Sequence, residues 1–225
     1  MTAALDARQG ALTVDLAGRR ISKDEFCRRF PVAPEEASAL GLSVLRRALR
    51  QRYADDVEYG LVLGFSFGIS PDYLDTLHAL AGADWHTRHA EVVDALDVLV
   101  RARAPVSADV LYRTALAKHA YLETDTADKT DTADLDDKND QPDKNALGVR
   151  CARVLGNLRT RTAALRLGEL LGSDNEVLAA EAARELQRIL DYDDEARRSG
   201  VVEAPATVRA LAAQLLATRQ QGSGA

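Results

Sequence analysis

The sequence predicts an all-α fold organised as an α-solenoid, a stack of helix pairs, and three observations lead there. Residues 145–190 hold three apolar helical segments joined by connections of only a few residues. The first and third are related by a shift of 28 positions, which sets Val149, Ala152, Leu155 and Leu158 on Val177, Ala180, Ala183 and Leu186. Steps of three keep one helix face inward, and Ala152, Gly156, Ala180 and Ala183 let neighbouring helices approach closely. Ala, Leu and Arg dominate while aromatics are 5% of the chain, a balance that favours helix over strand. A helix pair repeating at this period cannot bury its apolar face alone and needs a stacked neighbour.

The elements follow in order, and the whole of 1–225 reads as a single solenoid domain. Within it, 11–82 forms the N-terminal helices with one short hairpin, and 83–122 and 146–190 form helical repeats. Residues 123–145 are an acidic flexible insert, and 191–219 carry a C-terminal capping helix. Residues 1–10 read as a mobile start. Ala11 to Leu16 alternates apolar and polar, Ala17-Gly18 offers a turn, and Arg19-Arg20-Ile21 follows, so a short β-hairpin is expected there. Ser22 with Glu25 three residues on makes a capping box, and Phe26 and Phe30 form the buried stripe of the helix it starts. Pro34 opens a helix to about Arg52, with Leu40, Val44, Leu45 and Leu49 inward. The next helix, Asp55 to Phe67, carries Val57, Leu61 and Phe65 on one stripe, and Gly60 and Gly64 mark close packing, with Gly68 near its end. Ser70-Pro71-Asp72 starts a helix that runs to Gly82. Ala83 to Arg103 is a long helix with Val92, Val93, Leu96 and Leu99 inward, and Pro105-Val106-Ser107 separates it from Ala108 to Tyr121. A last helix, Ala206 to Arg219, turns Val208, Leu211, Leu215 and Leu216 inward.

The net charge of −6 is concentrated in one place. Glu123 to Asn145 holds nine acids and three lysines, while the rest of the chain holds 26 acids and 26 bases. The body is therefore neutral and carries no global basic field toward nucleic acid, although Arg150, Arg153, Arg159, Arg161 and Arg166 lie close together in sequence. The insert, with its tandem TDTADK-TDTADL, cannot bury enough apolar area to offset its ordering entropy. Its acids lack the central Gly and terminal Glu of a calcium loop. No apolar run approaches the ~18 residues of a membrane span. Cys27 and Cys151 are the only cysteines, and no secretory signal pattern opens the chain, so a cytoplasmic protein with reduced thiols is expected.

The densest chemical stretch is Trp85-His86-Thr87-Arg88-His89-Ala90-Glu91. On one helix His86 and His89 would share a face, and with His119 and a carboxylate such as Glu123 or Asp125 they would form a candidate metal site. Glycine-rich phosphate loops, a serine nucleophile elbow and HExxH are absent from the sequence. Asp55-Asp56, Asp136-Asp137 and Asp193-Asp194 are adjacent pairs whose members fall on different faces, which positions no acid–base couple.

The stretch 145–190 resembles HEAT-like repeats of the phycobilisome-lyase type, with Val177-Leu178 where the repeat has a Val-Arg pair. Residues 83–190 further resemble small bacterial HEAT-repeat proteins found beside Rhs-type polymorphic toxins. Trp85, His86, His89, Leu111, Tyr112, Ala115, Tyr121, Leu122, Cys151, Leu155 and Gly156 match their pattern. Ala90 replaces the pattern's Glu, with Glu91 one step on, and Arg150 replaces its Lys. The resemblance implies a right-handed superhelix and an immunity protein that neutralises a cognate toxin by occluding it. In that reading there is no catalytic residue and no cofactor, and the partner is a protein rather than nucleic acid or membrane. The candidate contacts are Trp85, His86, His89, Tyr112, Tyr121, Glu123, Asp125, Asp128, Asp131, Asp134, Asp136 and Asp137. Two alternatives stand beside it: a metal-dependent or lyase-like enzyme around the Trp-His-x-x-His segment, and a general scaffold.

Overall fold

The computed structural model describes residues 7–30, 32–123, 145–191 and 203–222. Every regular element among them is helical. The chain's contacts gather into two compact units, residues 1–106 and 107–225, and the division falls in the Pro105 connection within the 83–122 segment.

The first unit begins with α1, Ala7–Ala17, and this corrects the expected hairpin. Leu12, Thr13 and Leu16 are buried while Val14 is 44% exposed. The apolar alternation Leu12-Val14-Leu16 fits a strand, but positions three and four apart share a helix face, and the burial of Leu12, Thr13 and Leu16 follows that spacing. α1 ends with Arg19 at φ 54°, and the Arg20 N–H donates to the Asp15 carbonyl at 2.8 Å. This six-to-one bond is a Schellman closure with arginine in the left-handed position that glycine usually takes.

Ser22 caps α2, Lys23–Arg29, its Oγ accepting from the Glu25 N–H at 3.1 Å. The Glu25 carboxylate turns instead to Arg28 and Arg29. Phe26 and Phe30 are buried and stacked at 5.0 Å, with Leu12, Leu16 and Leu63 completing the cluster. α3, Pro34–Gln51, packs along α4, Ala54–Phe67. A Cβ on Gly60 would meet the Gly41 carbonyl at 2.9 Å and the Leu45 side chain, so the two helices touch backbone to backbone. In α4 Val57 and Leu61 point inward as expected, but Phe65 is 45% exposed. Arg47 and Asp56 form a buried two-pronged ion pair across this contact, Nε to Oδ2 at 2.6 Å and Nη2 to Oδ1 at 2.7 Å. A 3-10 turn at Pro71–Tyr73 leads into α5, Leu74–Ala81, and Tyr73 fills the space beside Gly41 and Gly64. α6 spans only His89–Arg101, with Val92, Val93, Leu96 and Leu99 fully buried. The expected helix from Ala83 thus starts six residues late.

The second unit begins with α7, Ala108–Leu116, capped by Ser107, and a short α8, Ala120–Glu123, follows a break where one helix was expected. α9 is Ala146–Leu158, α10 Arg161–Leu171, α11 Glu176–Leu190 and α12 Ala206–Gly222. α9 packs against both α7 and α11, and α12 closes on α10 and α11 with Val208 and Ala212 buried.

The three segments of 145–190 are helices as expected, but their equivalence is not at 28. Asn145 and Asn175, the residues preceding α9 and α11, are 30 apart, and the Asn175 Nδ2 donates to the Asn145 Oδ1 at 2.7 Å. A shift of 30 also carries buried Cys151 and Ala152 onto buried Glu181 and Ala182. Val177, the expected partner of Val149, is 48% exposed. At 100° per residue, two positions turn a helix by about 200°, from its inner face to its outer one. The acidic insert's residues 124–144 lie outside the described residues, as do 192–202.

Candidate functional site

The Trp85-His86-x-x-His89 segment is a connection, not a helix face. His86 precedes α6 and His89 is its first residue. Both are buried, and their rings stack at 4.3 Å between centroids, 19° from parallel. His86 Nε2 is 3.0 Å from the Leu80 carbonyl, and His86 Nδ1 accepts the Arg88 N–H at 3.1 Å. Nε2 therefore carries the proton and both ring nitrogens are in use. His89 Nε2 donates to the Ala83 carbonyl at 2.6 Å. Half-buried Trp85 sets its ring edge-on to His86 at 5.1 Å. The two imidazoles thus fasten the α5–α6 connection to the end of α5. A metal at His86 would need to break one of two hydrogen bonds.

His119 belongs to the second unit, buried, with its ring 5.6 Å from that of half-buried Tyr121. Among the described residues no group of three or more His, Cys, Asp or Glu side chains is arranged to hold a metal ion. Glu123 is the last residue of α8, and Asp125, Asp128, Asp131, Asp134, Asp136 and Asp137 fall outside the described residues. Tyr112 on α7 lies under the Arg166 guanidinium at 5.0 Å. Arg166 on α10 also bonds Asp109 and Glu169, both at 2.7 Å, tying α7 to α10 at the surface.

The arginine cluster read from the sequence also disperses. Arg159 is buried and donates to the Arg188 carbonyl at 3.0 Å. Arg153 reaches across from α9 to Glu181 on α11 at 2.6 Å, and Glu181 also receives Arg184. Glu185 is held by Arg188 at 2.8 Å. Glu181 and Glu185 are buried one turn apart, while Arg153, Arg184 and Arg188 stay solvent-exposed above them. Burial pushes the Glu185 carboxyl above the ordinary carboxylate value, against the pull of Arg188. Cys151 is fully buried on α9, its thiol pushed up to about 12 by desolvation, which suits a core residue and not a nucleophile.

A feature that sequence reasoning missed lies in the first unit. The end of α1, the start of α2 and the C-terminal half of α4 enclose a solvent-open groove of ≈ 690 Å³. Leu16, Ile21, Val62 and Phe65 line it with apolar surface, and Arg19, Arg20 and Lys23 line it with positive charge. The signal was present in Arg19-Arg20-x-x-Lys23, but a hairpin reading of 11–21 hides it. The Schellman closure of α1 is what fixes Arg19 and Arg20 at this place. Arg47–Asp56 was missed too, because Asp55-Asp56 reads as an idle adjacent pair until α3 and α4 are laid together.

No family model, curated protein or solved structure matches this chain. No helix among the described residues is long and apolar enough to cross a membrane.

Proposed function

We propose that the chain is a non-enzymatic protein-binding module of HEAT-like repeats in a right-handed α-solenoid. We assign it as a cytoplasmic immunity protein that neutralises a cognate polymorphic toxin by occluding it. The observation that carries the reading is the pairing of α9 with α11. These two helices, separated in sequence by α10 and preceded by Asn145 and Asn175, stand side by side and are joined by Arg153–Glu181 and Arg159–Arg188. Buried glutamates hold the exposed Arg153, Arg184 and Arg188 in set positions, so a charged surface is ordered before any partner arrives. Side chains already ordered lose less entropy on association, which favours tight protein binding. The resemblance of residues 83–190 to HEAT-repeat immunity proteins points the same way. The −6 balance of residues 123–145 adds long-range attraction toward a basic toxin domain.

The reading expects a large toxin gene beside this chain's own, and the test is co-expression with that toxin. Growth is expected to be restored, and the two proteins are expected to co-purify. Continued toxicity with both proteins made in soluble form overturns the reading.

A further inference from the structure

We propose that the groove of the first unit is a docking site for an acidic peptide segment of a partner protein, one that carries an aromatic or aliphatic anchor. The proposal rests on the protein-binding reading but not on the toxin.

Charge comes first. The groove's ten lining residues include three cations, Arg19, Arg20 and Lys23, and no acid. This is a local excess in a chain whose net charge is −6. Asp15 reaches only Arg20, at 3.4 Å, and the Arg20 side chain remains 72% exposed, so the pair neutralises little. The nearby acid Glu25 is engaged on α2 by Arg28 and Arg29. Lys23 sits 5.8 Å from the Phe67 ring, which holds its ammonium at the rim.

Apolar surface comes second. Phe65 is 45% exposed at the end of a helix whose other face is core, with Val62 and Ile21 beside it in the groove. An exposed aromatic flanked by aliphatic side chains and rimmed by cations is the composition of an anchor pocket.

Shape decides the class of occupant. Small ligands usually lose about 70–90% of their surface to a site, and a groove this open does not enclose one. An extended segment gains instead from several weak contacts along the groove, with side-chain anchors below and carboxylates along the rim. A nucleic acid strand would use the cations, but base stacking needs aromatic platforms, and here four of the five apolar lining side chains are aliphatic.

The test is fluorescence anisotropy with the full chain and a short labelled peptide of alternating Glu and Leu around one Phe. Saturable binding that weakens with added salt is expected. Arg19→Glu with Lys23→Glu should weaken it about tenfold or more, and Phe65→Ser by a similar factor, because one step removes the charge and the other the anchor. Arg50→Glu, an exposed charge on α3, should leave it unchanged. All the substituted side chains are surface-exposed, and circular dichroism melts check that the variants fold; Arg19→Gln with Lys23→Gln repeats the charge test without reversal. No saturable binding overturns the proposal. So does binding that survives both variants, equal binding of the peptide with Lys in place of Glu, or equal binding of a labelled oligothymidylate. Failed rescue in the co-expression experiment together with peptide binding removes the toxin and leaves the groove. Rescue without peptide binding does the reverse.

Discussion

Arg153 on α9 donates from Nε to the Glu181 Oε1 on α11 at 2.6 Å, joining two helices across 28 residues of sequence. The two partners are unequal. The Glu181 side chain is 4% exposed and that of Arg153 is 58% exposed. Truncating Glu181 to Ala removes a buried acceptor that also holds Arg184, and a destabilisation of about 1–3 kcal/mol is expected. Arg153→Ala leaves Glu181 with Arg184, and less than about 1 kcal/mol should be lost. Urea unfolding of the two single variants checks the asymmetry, and equal losses would mean the arginine packs rather than pairs.

The Arg47–Asp56 pair behaves differently, because both side chains are 3% exposed. Here neither partner has water to fall back on. Asp56→Ala deprives a buried guanidinium of its two-pronged carboxylate, at a cost of about 3–5 kcal/mol. Replacing both, Arg47→Met with Asp56→Leu, should recover most of that loss, since a buried pair stabilises little over well-packed apolar groups. The measurement is chemical denaturation of wild type, single and double variants. A double variant no more stable than the single one would show that the ion pair sets the α3–α4 register.

Helix content was legible in the sequence because apolar spacing and capping residues are local signals. Ser22 caps the helix that its position announces. What depended on choosing between periods was not legible. Leu12 and Leu16 suit both a strand and a helix, and only packing shows that Val14 between them faces out. The repeat offset failed for a related reason. A shift of 28 aligns apolar with apolar residues, whereas 30 sets Cys151 on Glu181, and only the burial of that glutamate and the Asn145–Asn175 bond reveal the second offset. The histidines misled because His-x-x-His is helical spacing on paper, whereas His86 precedes the helix that His89 begins. Only the cations of the groove were legible, in Arg19-Arg20-x-x-Lys23; Phe65 is about 45 positions away in sequence and joins them only once α1 packs on α4.

Two glycines separate packing from chain flexibility. At Gly60 an added Cβ would stand 2.9 Å from the Gly41 carbonyl, a backbone atom that cannot move away alone. Gly60→Ala should therefore force α3 and α4 apart and cost about 1–3 kcal/mol, as overpacking does. Gly82, the residue after α5, has nothing within 4 Å of its Cβ position and a φ of −98°. Gly82→Ala should be neutral or stabilise by up to about 1 kcal/mol, through the unfolded chain. Thermal melts of both variants decide it, and a tolerated Gly60→Ala would show that the α3–α4 contact is slack.

Glu185 gives the chain a defined pH response. Burial is the first cause of its raised pKa, opposed by the hydrogen bond and charge of Arg188. The ordinary carboxyl value is 4.5, and the folded value lies above it. Between the two, the folded state binds more protons than the unfolded one. Stability from this group is therefore greatest below the ordinary value and falls as pH rises through the folded pKa, the reverse of the common carboxylate case. Glu185→Gln removes the titration while keeping a side chain of similar size. The stability of this variant relative to wild type should rise with pH across the interval just above 4.5 and then level off. The check is denaturant unfolding of both proteins at matched ionic strength from acid to neutral pH. A difference that is flat across the interval, or that slopes the other way, would mean that Arg188 and Arg159 outweigh the desolvation of the carboxylate.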